Sequence, residues 1–419
     1  MKLYPLIFLS SFLILHTSFI AKPQWGLQAH QKINRLAVFT LPPEMMPLYK
    51  KEIAYISEHS VDPDKRRYVS RTESCRHYID LDRYAFLPHN LLDALALHTQ
   101  IFVTNDKKDT FKLTGYPNVF LHKRDFFLKS KSIKTFFKRD SIAIADTIYR
   151  QFVYNNFLKQ YQDGKWSISM DSLNKLFEKE RFVVNGKFKK AWAIDGLSAS
   201  GILPYHLIAM QKRLTQAFIH KNKQAVLKLS AEIGHYIADA HVPLHTTRNY
   251  DGQLTHQNGI HAFWETRLPD LFADKYNFWV GQAAYFDKSD EYYWNIVQKS
   301  HTFLPKLFEL EQETAQLFPK NKKYVSMTQK GTTLTLQTQE YAALFHQKLD
   351  GMVEERMRDA VLAVGSAWYS AWFEAGQPNL NHLFEKMPPS TADFPNIDTA
   401  AYQKNNIMFG RDEGKRFKE

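Results

Sequence analysis

The sequence predicts an all-α protein. Apolar residues recur at helical spacing over long stretches, strand-like alternation is scarce, and the densest group of metal-binding residue types is paired four apart. Positions 31–38 carry Ile33, Leu36 and Ala37, one face of a first helix. Positions 207–218 repeat Leu207, Ile208, Met210, Leu214 and Phe218, and positions 226–240 repeat Val226, Leu227, Leu229, Ile233, Tyr236, Ile237 and Ala240. Positions 341–376 form one long amphipathic stretch that stops at Gly376-Gln377-Pro378. Only Thr332–Gln337 and positions 181–185 alternate like strands.

Composition narrows the class. The chain has 419 residues, 44% of them apolar and 23% charged, which excludes a disordered, fibrous or small disulfide-stapled protein. Cys75 is the single cysteine, so no intramolecular disulfide can form. Positions 3–21 are apolar, follow Lys2 and end in Ala21, the pattern of a secretory signal peptide covering 1–21. Export to the periplasm or the outside is the expectation. A fold exported without disulfides must rest on core packing or on metal.

Charge divides the chain. The net charge is +12, and positions 105–190 hold 19 Lys and Arg against 9 Asp and Glu. Basic patches there alternate with Phe126, Phe127, Phe136, Phe137 and Phe188. This segment reads as an inserted, basic, helical subdomain whose solvated face offers contact to an anionic surface. The remaining organisation is 22–104 and 191–380 as the two parts of one catalytic domain, and 381–419 as a polar tail.

The chemistry concentrates between His235 and Glu265. His235 and Asp239 lie four apart, one helical turn on one face, so an imidazole and a carboxylate can grip one metal or bridge two. Pro243 ends that helix and His245 enters from the next turn. His261 and Glu265 repeat the spacing. Nitrogen and carboxylate donors without thiolates suit zinc, with manganese or iron as alternatives.

This pattern resembles the zinc-dependent phospholipase C / S1–P1 nuclease superfamily. The motif is His235, Asp239, His245, then His261 with a carboxylate four later. Trp25-Gly26 with His30, and an Asp near position 62 followed by His77-Tyr78-Ile79-Asp80, extend the match. The resemblance implies a multi-helix fold around up to three zinc ions. It implies nine ligands: Trp25, His30, Asp62, His77, His235, Asp239, His245, His261 and Glu265. Asp239 would bridge two zincs, Asp62 would double as a base, and a zinc-bound hydroxide would attack phosphorus. Asp64 competes with Asp62 for its place, and Asp80 and Asp82 are candidates to orient ligating rings. Cleavage at Ala21 would leave three residues ahead of Trp25, whose free amine the family uses. Glu265 and the short gap from His245 to His261 lean towards a phospholipase C-like phosphodiesterase. The Trp25–His30 spacing and the His77 context lean towards a single-strand nuclease or nucleotidase. A non-catalytic protein stapled by zinc is the third reading.

Overall fold

The computed structural model describes residues 27–383, except 71, 85, 105, 107–109, 115–118, 123–124, 130–140, 157–164, 178–188, 195 and 330–331. The signal peptide reading, Trp25, the strand expected at 181–185 and the tail from 384 lie outside the described residues.

The protein is mostly helical. Its body is built on α8 (Leu203–Ile219) and α9 (Lys223–Ala240). Both helices are lined with Leu, Ile, Val, Met and Phe at helical spacing and bury them against each other. The connection is only three residues long, which makes them antiparallel neighbours. Asn222 caps α9 by accepting from the Ala225 backbone N–H at 3.1 Å.

The final long helix, α15 by order of the chain (Met352–Glu374), packs across α8 and α9. Trp368 at its centre donates its indole N–H to the Ser230 carbonyl at 3.0 Å and packs on Tyr49. The stretch 341–376 is two helices rather than one. Helix α14 (Gln339–Lys348) ends, Asp350 and Gly351 take positive φ, and α15 begins. Two consecutive left-handed residues cannot continue a right-handed helix.

Helix α1 (Leu27–Ala37) lies between α9 and α15, and two glycines let it approach. A Cβ on Gly234 would stand 1.7 Å from Asn34 Oδ1, and one on Gly365 would stand 1.9 Å from Thr40 Oγ1. Asn34 is itself held, donating to the Ala231 carbonyl at 2.9 Å. This approach carries His30, one turn before Asn34, to His235, the residue after Gly234. Gly234→Ala is therefore expected to lower stability by about 1–3 kcal/mol through overpacking, although alanine is the better helix former. Denaturant melting checks this; a variant more stable than the wild type would contradict the close approach.

Between these helices run α2 (Met46–Lys51), α3 (Ile53–Glu58), α4 (Asp62–Arg66) and α5 (Leu91–His98). Later come α10 (Ile260–Ala262), a π-helical turn at Phe263–Arg267, α11 (Leu268–Phe272), α12 (Ser289–Thr302) and α13 (Leu304–Leu317). Among the described residues no helix is long and apolar enough to cross a membrane.

The basic segment is not the helical insertion its composition suggested. Strands β1 (Gln100–Thr104), β2 (Thr110–Thr114), β6 (Lys165–Ile168) and β7 (Lys190–Ile194) form one antiparallel sheet in the order β2-β1-β7-β6. Strands β3 (Val119–His122), β4 (Asp125–Lys129) and β5 (Ser141–Ala145) form a second. Among the described residues there, α6 (Asp146–Asn156) and α7 (Met170–Phe177) are helical. The segment leaves and rejoins the helical body through β1 and β7, which pair from Gln100↔Ile194 to Thr104↔Lys190. Phe102 stacks on Trp192 across that pair, the cross-strand aromatic contact that favours a sheet. Near the C-terminal side, Thr332–Gln337 is a strand as its alternation predicts (β9), paired with β8 (Tyr324–Gln329).

Candidate metal centre

Eight ligand-type side chains from seven elements of the chain meet at the inner end of α9. Its last two turns supply His235 and Asp239. Pro243 opens a 3-10 turn, and that turn carries His245. Gly259 with φ 89° starts the short helix that carries His261, and the π-helical turn carries Glu265. Single π turns recur at functional sites because they re-aim one side chain within a helix. Here His261 Nε2 and Glu265 Oε2 end 2.8 Å apart.

His77 needs a loop, and backbone hydrogen bonds pin it on both sides. The Ile79 N–H donates to the His245 carbonyl at 2.9 Å, and the Asp80 N–H donates to the Ser200 carbonyl. Gly201, with φ 84°, makes the second contact possible, because a Cβ there would stand 1.9 Å from the Tyr78 carbonyl oxygen. Asp64 comes from α4 and His30 from α1.

The donor atoms fall into three groups: His30, His235 and Asp239; Asp64, His77 and His235; and His245, His261 and Glu265. Within each group they lie within 4.8 Å of one another. The groups share carboxylates. Asp239 turns Oδ2 to His77 (2.9 Å) and His235 (3.4 Å), and Oδ1 to His30 (3.6 Å) and His245 (3.9 Å). Glu265 turns Oε1 to His30 (3.4 Å) and Oε2 to His245 (3.1 Å) and His261. A tetrahedral shell with bonds of about 2.0–2.1 Å sets neighbouring donors roughly 3.3 Å apart. The spacings here match that scale.

Electrostatics give an independent test of fit. His245 Nδ1 donates to the His77 carbonyl at 2.6 Å, so in the neutral ring Nε2 is a bare lone pair. That lone pair faces His261 Nε2 at 2.8 Å and the Glu265 carboxylate. A proton on His261 Nε2, or a cation shared by the three groups, satisfies them. Burial lowers the His235 pKa to about 3, with the His30 charge adding to the effect against Asp239 and Asp64, so this ring is neutral and able to ligate. Burial opposes the charge of Asp239, yet the surrounding His235, His245 and His77 imidazoles hold its pKa below the usual carboxylate range. Glu265 is held low in the same way by His245, His261 and His30. Buried His30 Nδ1 and His235 Nδ1 have no hydrogen-bond partner among the described residues. The donor set is imidazole and carboxylate without thiolate, a set that suits a divalent metal.

Of the residues expected as ligands, His30, His77, His235, Asp239, His245, His261 and Glu265 are brought together. Trp25 lies outside the described residues. Asp62 is not at the centre: it pairs with His59 Nδ1 at 2.6 Å and with the Lys65 ammonium at 2.7 Å. Asp64 takes the place, with Oδ1 3.8 Å from His235 Nε2 and 3.9 Å from His77 Nδ1. Asp80 pairs with Arg83 at 3.2 Å, while Asp82 accepts from the Thr247 hydroxyl and the Arg248 N–H and so anchors the loop after His245.

The carboxylate at a ligand ring is instead Glu73, whose Oε1 stands 3.7 Å from His77 Nε2, opposite Asp239. Burial disfavours a charged His77, and the carboxylates on either side outweigh it, raising its pKa to about 9. Glu73 accepts from Arg66 (3.1 Å), Arg76 (2.8 Å) and the Tyr236 hydroxyl, and Arg66 also pairs with Glu232 at 2.6 Å. Arg67 sets a guanidinium 3.5 Å from Asp64. None of these was legible as a site residue, although the charge-dense run from Asp64 to His77 was the available signal. No family model matches the chain, and no curated protein matches it.

Proposed function

We propose that the protein is an exported zinc-dependent phosphodiester hydrolase, phospholipase C-like in substrate. The observation that carries this reading is the Asp239 carboxylate, whose two oxygens serve imidazoles of different ligand groups. Such sharing is what a cluster of neighbouring metals requires. Zinc bound here would neutralise the phosphodiester's charge and lower the pKa of a coordinated water to about 7.

The chain's own residues do the rest. Neutral His235 presents a lone pair, and His245 is fixed in the Nδ1–H tautomer by the His77 carbonyl. Glu73 sets a negative charge 3.7 Å behind His77 Nε2, where it favours a proton on that nitrogen. Asp64 is the most open of the cluster carboxylates, with a side chain 27% exposed. It replaces Asp62 as the group that accepts a proton from the attacking water. Arg67, beside it, adds a fixed positive charge that favours an anionic substrate.

The test is phosphocholine release from short-chain phosphatidylcholine micelles by mature, zinc-loaded protein, with and without chelator. Chelator-sensitive release is the expected result. Chelator-sensitive cleavage of single-stranded DNA without phosphocholine release would move the substrate to nucleic acid. Bound zinc with hydrolysis of neither substrate would point to a zinc-stapled binding protein.

A further inference from the structure

Strands β8 and β9 form a sheet of their own, with no third strand among the described residues. Their register sets Val325 opposite Leu336 and Met327 opposite Leu334, with Ser326 opposite Thr335 and Thr328 opposite Thr333 in between. Directly opposed residues share a face and successive residues alternate. Val325 and Leu336 therefore share one face of the hairpin, and Ser326 and Thr335 the other. Two strands alone are marginal in water, and an apolar face gains from being covered. Val325 is 39% exposed, and Leu317, at the end of the preceding helix, is 68% exposed.

The charge of the same segment is one-sided. From position 319 to 339 the chain carries Lys320, Lys322, Lys323 and Lys330 and no acidic residue. Lys320 and Lys322 are exposed at the foot of the hairpin. The hairpin is also tied to the metal centre. Arg267, two residues beyond Glu265, donates to the Gln337 carbonyl at 3.1 Å. The Lys323 ammonium lies over the Tyr341 ring, which stacks on Phe263 at the start of the π-helical turn.

We infer that this hairpin is a docking element for an anionic lipid surface. Its apolar face enters the boundary between head groups and acyl chains, and its lysines meet lipid phosphates. An exposed apolar position flanked by lysines is the chemistry of an interfacial anchor. This surface is separate from the basic segment at 105–190, and it does not depend on what the metal centre hydrolyses.

The experiment is co-sedimentation of the zinc-loaded full chain with phosphatidylcholine vesicles, with and without phosphatidylglycerol, with released head group measured in the same tube. Binding that needs phosphatidylglycerol and weakens with added salt is expected. Val325→Ser with Leu336→Ser, and separately Lys320→Glu with Lys322→Glu, should each weaken binding by about tenfold or more. Circular dichroism melts should match the wild type, since these positions are exposed or partly so. Failure of the wild type to bind, or equal binding by both double variants, would overturn the inference. A dimer abolished by the Val325/Leu336 substitutions, without vesicle binding, would assign the face to a second copy of the chain and likewise overturn it.

Discussion

Asp239→Asn should leave a folded protein that has lost at least one metal equivalent and nearly all phosphodiesterase activity. The side chain keeps its shape and loses its charge. In the wild type Oδ2 lies against His77 and His235, and Oδ1 against His30 of a different ligand group. An amide offers one oxygen and one NH2, so one of the two groups would meet a donor where it needs an acceptor. A loss of roughly 10³-fold or more in kcat/KM is expected, because the position acts on the metals that stabilise the reacting phosphoryl group. Metal content measured by mass spectrometry and turnover measured on the same sample check this together. Asp62→Asn is the matched comparison. Asp62 is spent on His59 and Lys65, so that variant should keep its metal and most of its activity. An active, fully metallated Asp239→Asn protein would remove the shared-carboxylate assignment. Metal loss in Asp62→Asn would restore the ligand set expected from the sequence.

The contrast between Asp62 and Asp64 shows where sequence reasoning stops. Both lie in one short helix, two residues apart, and so point in different directions. Spacing to His77 does not separate them. The neighbours that decide are His59 and Lys65 on one side and His77 and His235 on the other. The core helices were legible because their periodicity is long: 207–218 and 226–240 fall inside α8 and α9. The break at Asp350-Gly351 was not, because an amphipathic pattern can run on through a two-residue reversal. The strands of the basic segment were missed for another reason. Runs such as Ser141–Ala145 and Lys190–Ile194 alternate with alanine, a residue that reads as helix, and Lys190–Ile194 pairs with β1 across some 90 residues of sequence. The i,i+4 pairs of the metal centre survived because both partners sit on one local element. The network behind it did not, since Arg66 meets Glu232 across 166 positions of sequence.

That network sets the second large effect. Glu73 is 1% exposed and is shared by Arg66, Arg76, Tyr236 and His77. Burial opposes its charge, and the Arg66 guanidinium more than compensates, holding its pKa well below the ordinary carboxylate value of 4.5. Glu73→Gln removes the charge that buried Arg66 and half-buried Arg76 share, although Glu232 still serves Arg66. Breaking a buried pair on one side costs about 3–5 kcal/mol, so a loss of that order is expected at neutral pH. The sign of the pH dependence follows from the depressed pKa. The contribution of Glu73 is present above the unfolded value of about 4.5 and fades as pH falls towards the folded value. The gap between wild type and Glu73→Gln should therefore be widest near neutrality and narrow in acid; a gap that stays constant from pH 7 to pH 3 would contradict this. A purely structural role would end there. Because Glu73 also backs His77, the variant should bind metal about 10–100-fold more weakly even at temperatures where it is fully folded. Chelator competition reads that difference separately from melting. Weakened folding with unchanged metal affinity would confine Glu73 to the core, and weakening of both would make the buried arginine network part of the metal centre.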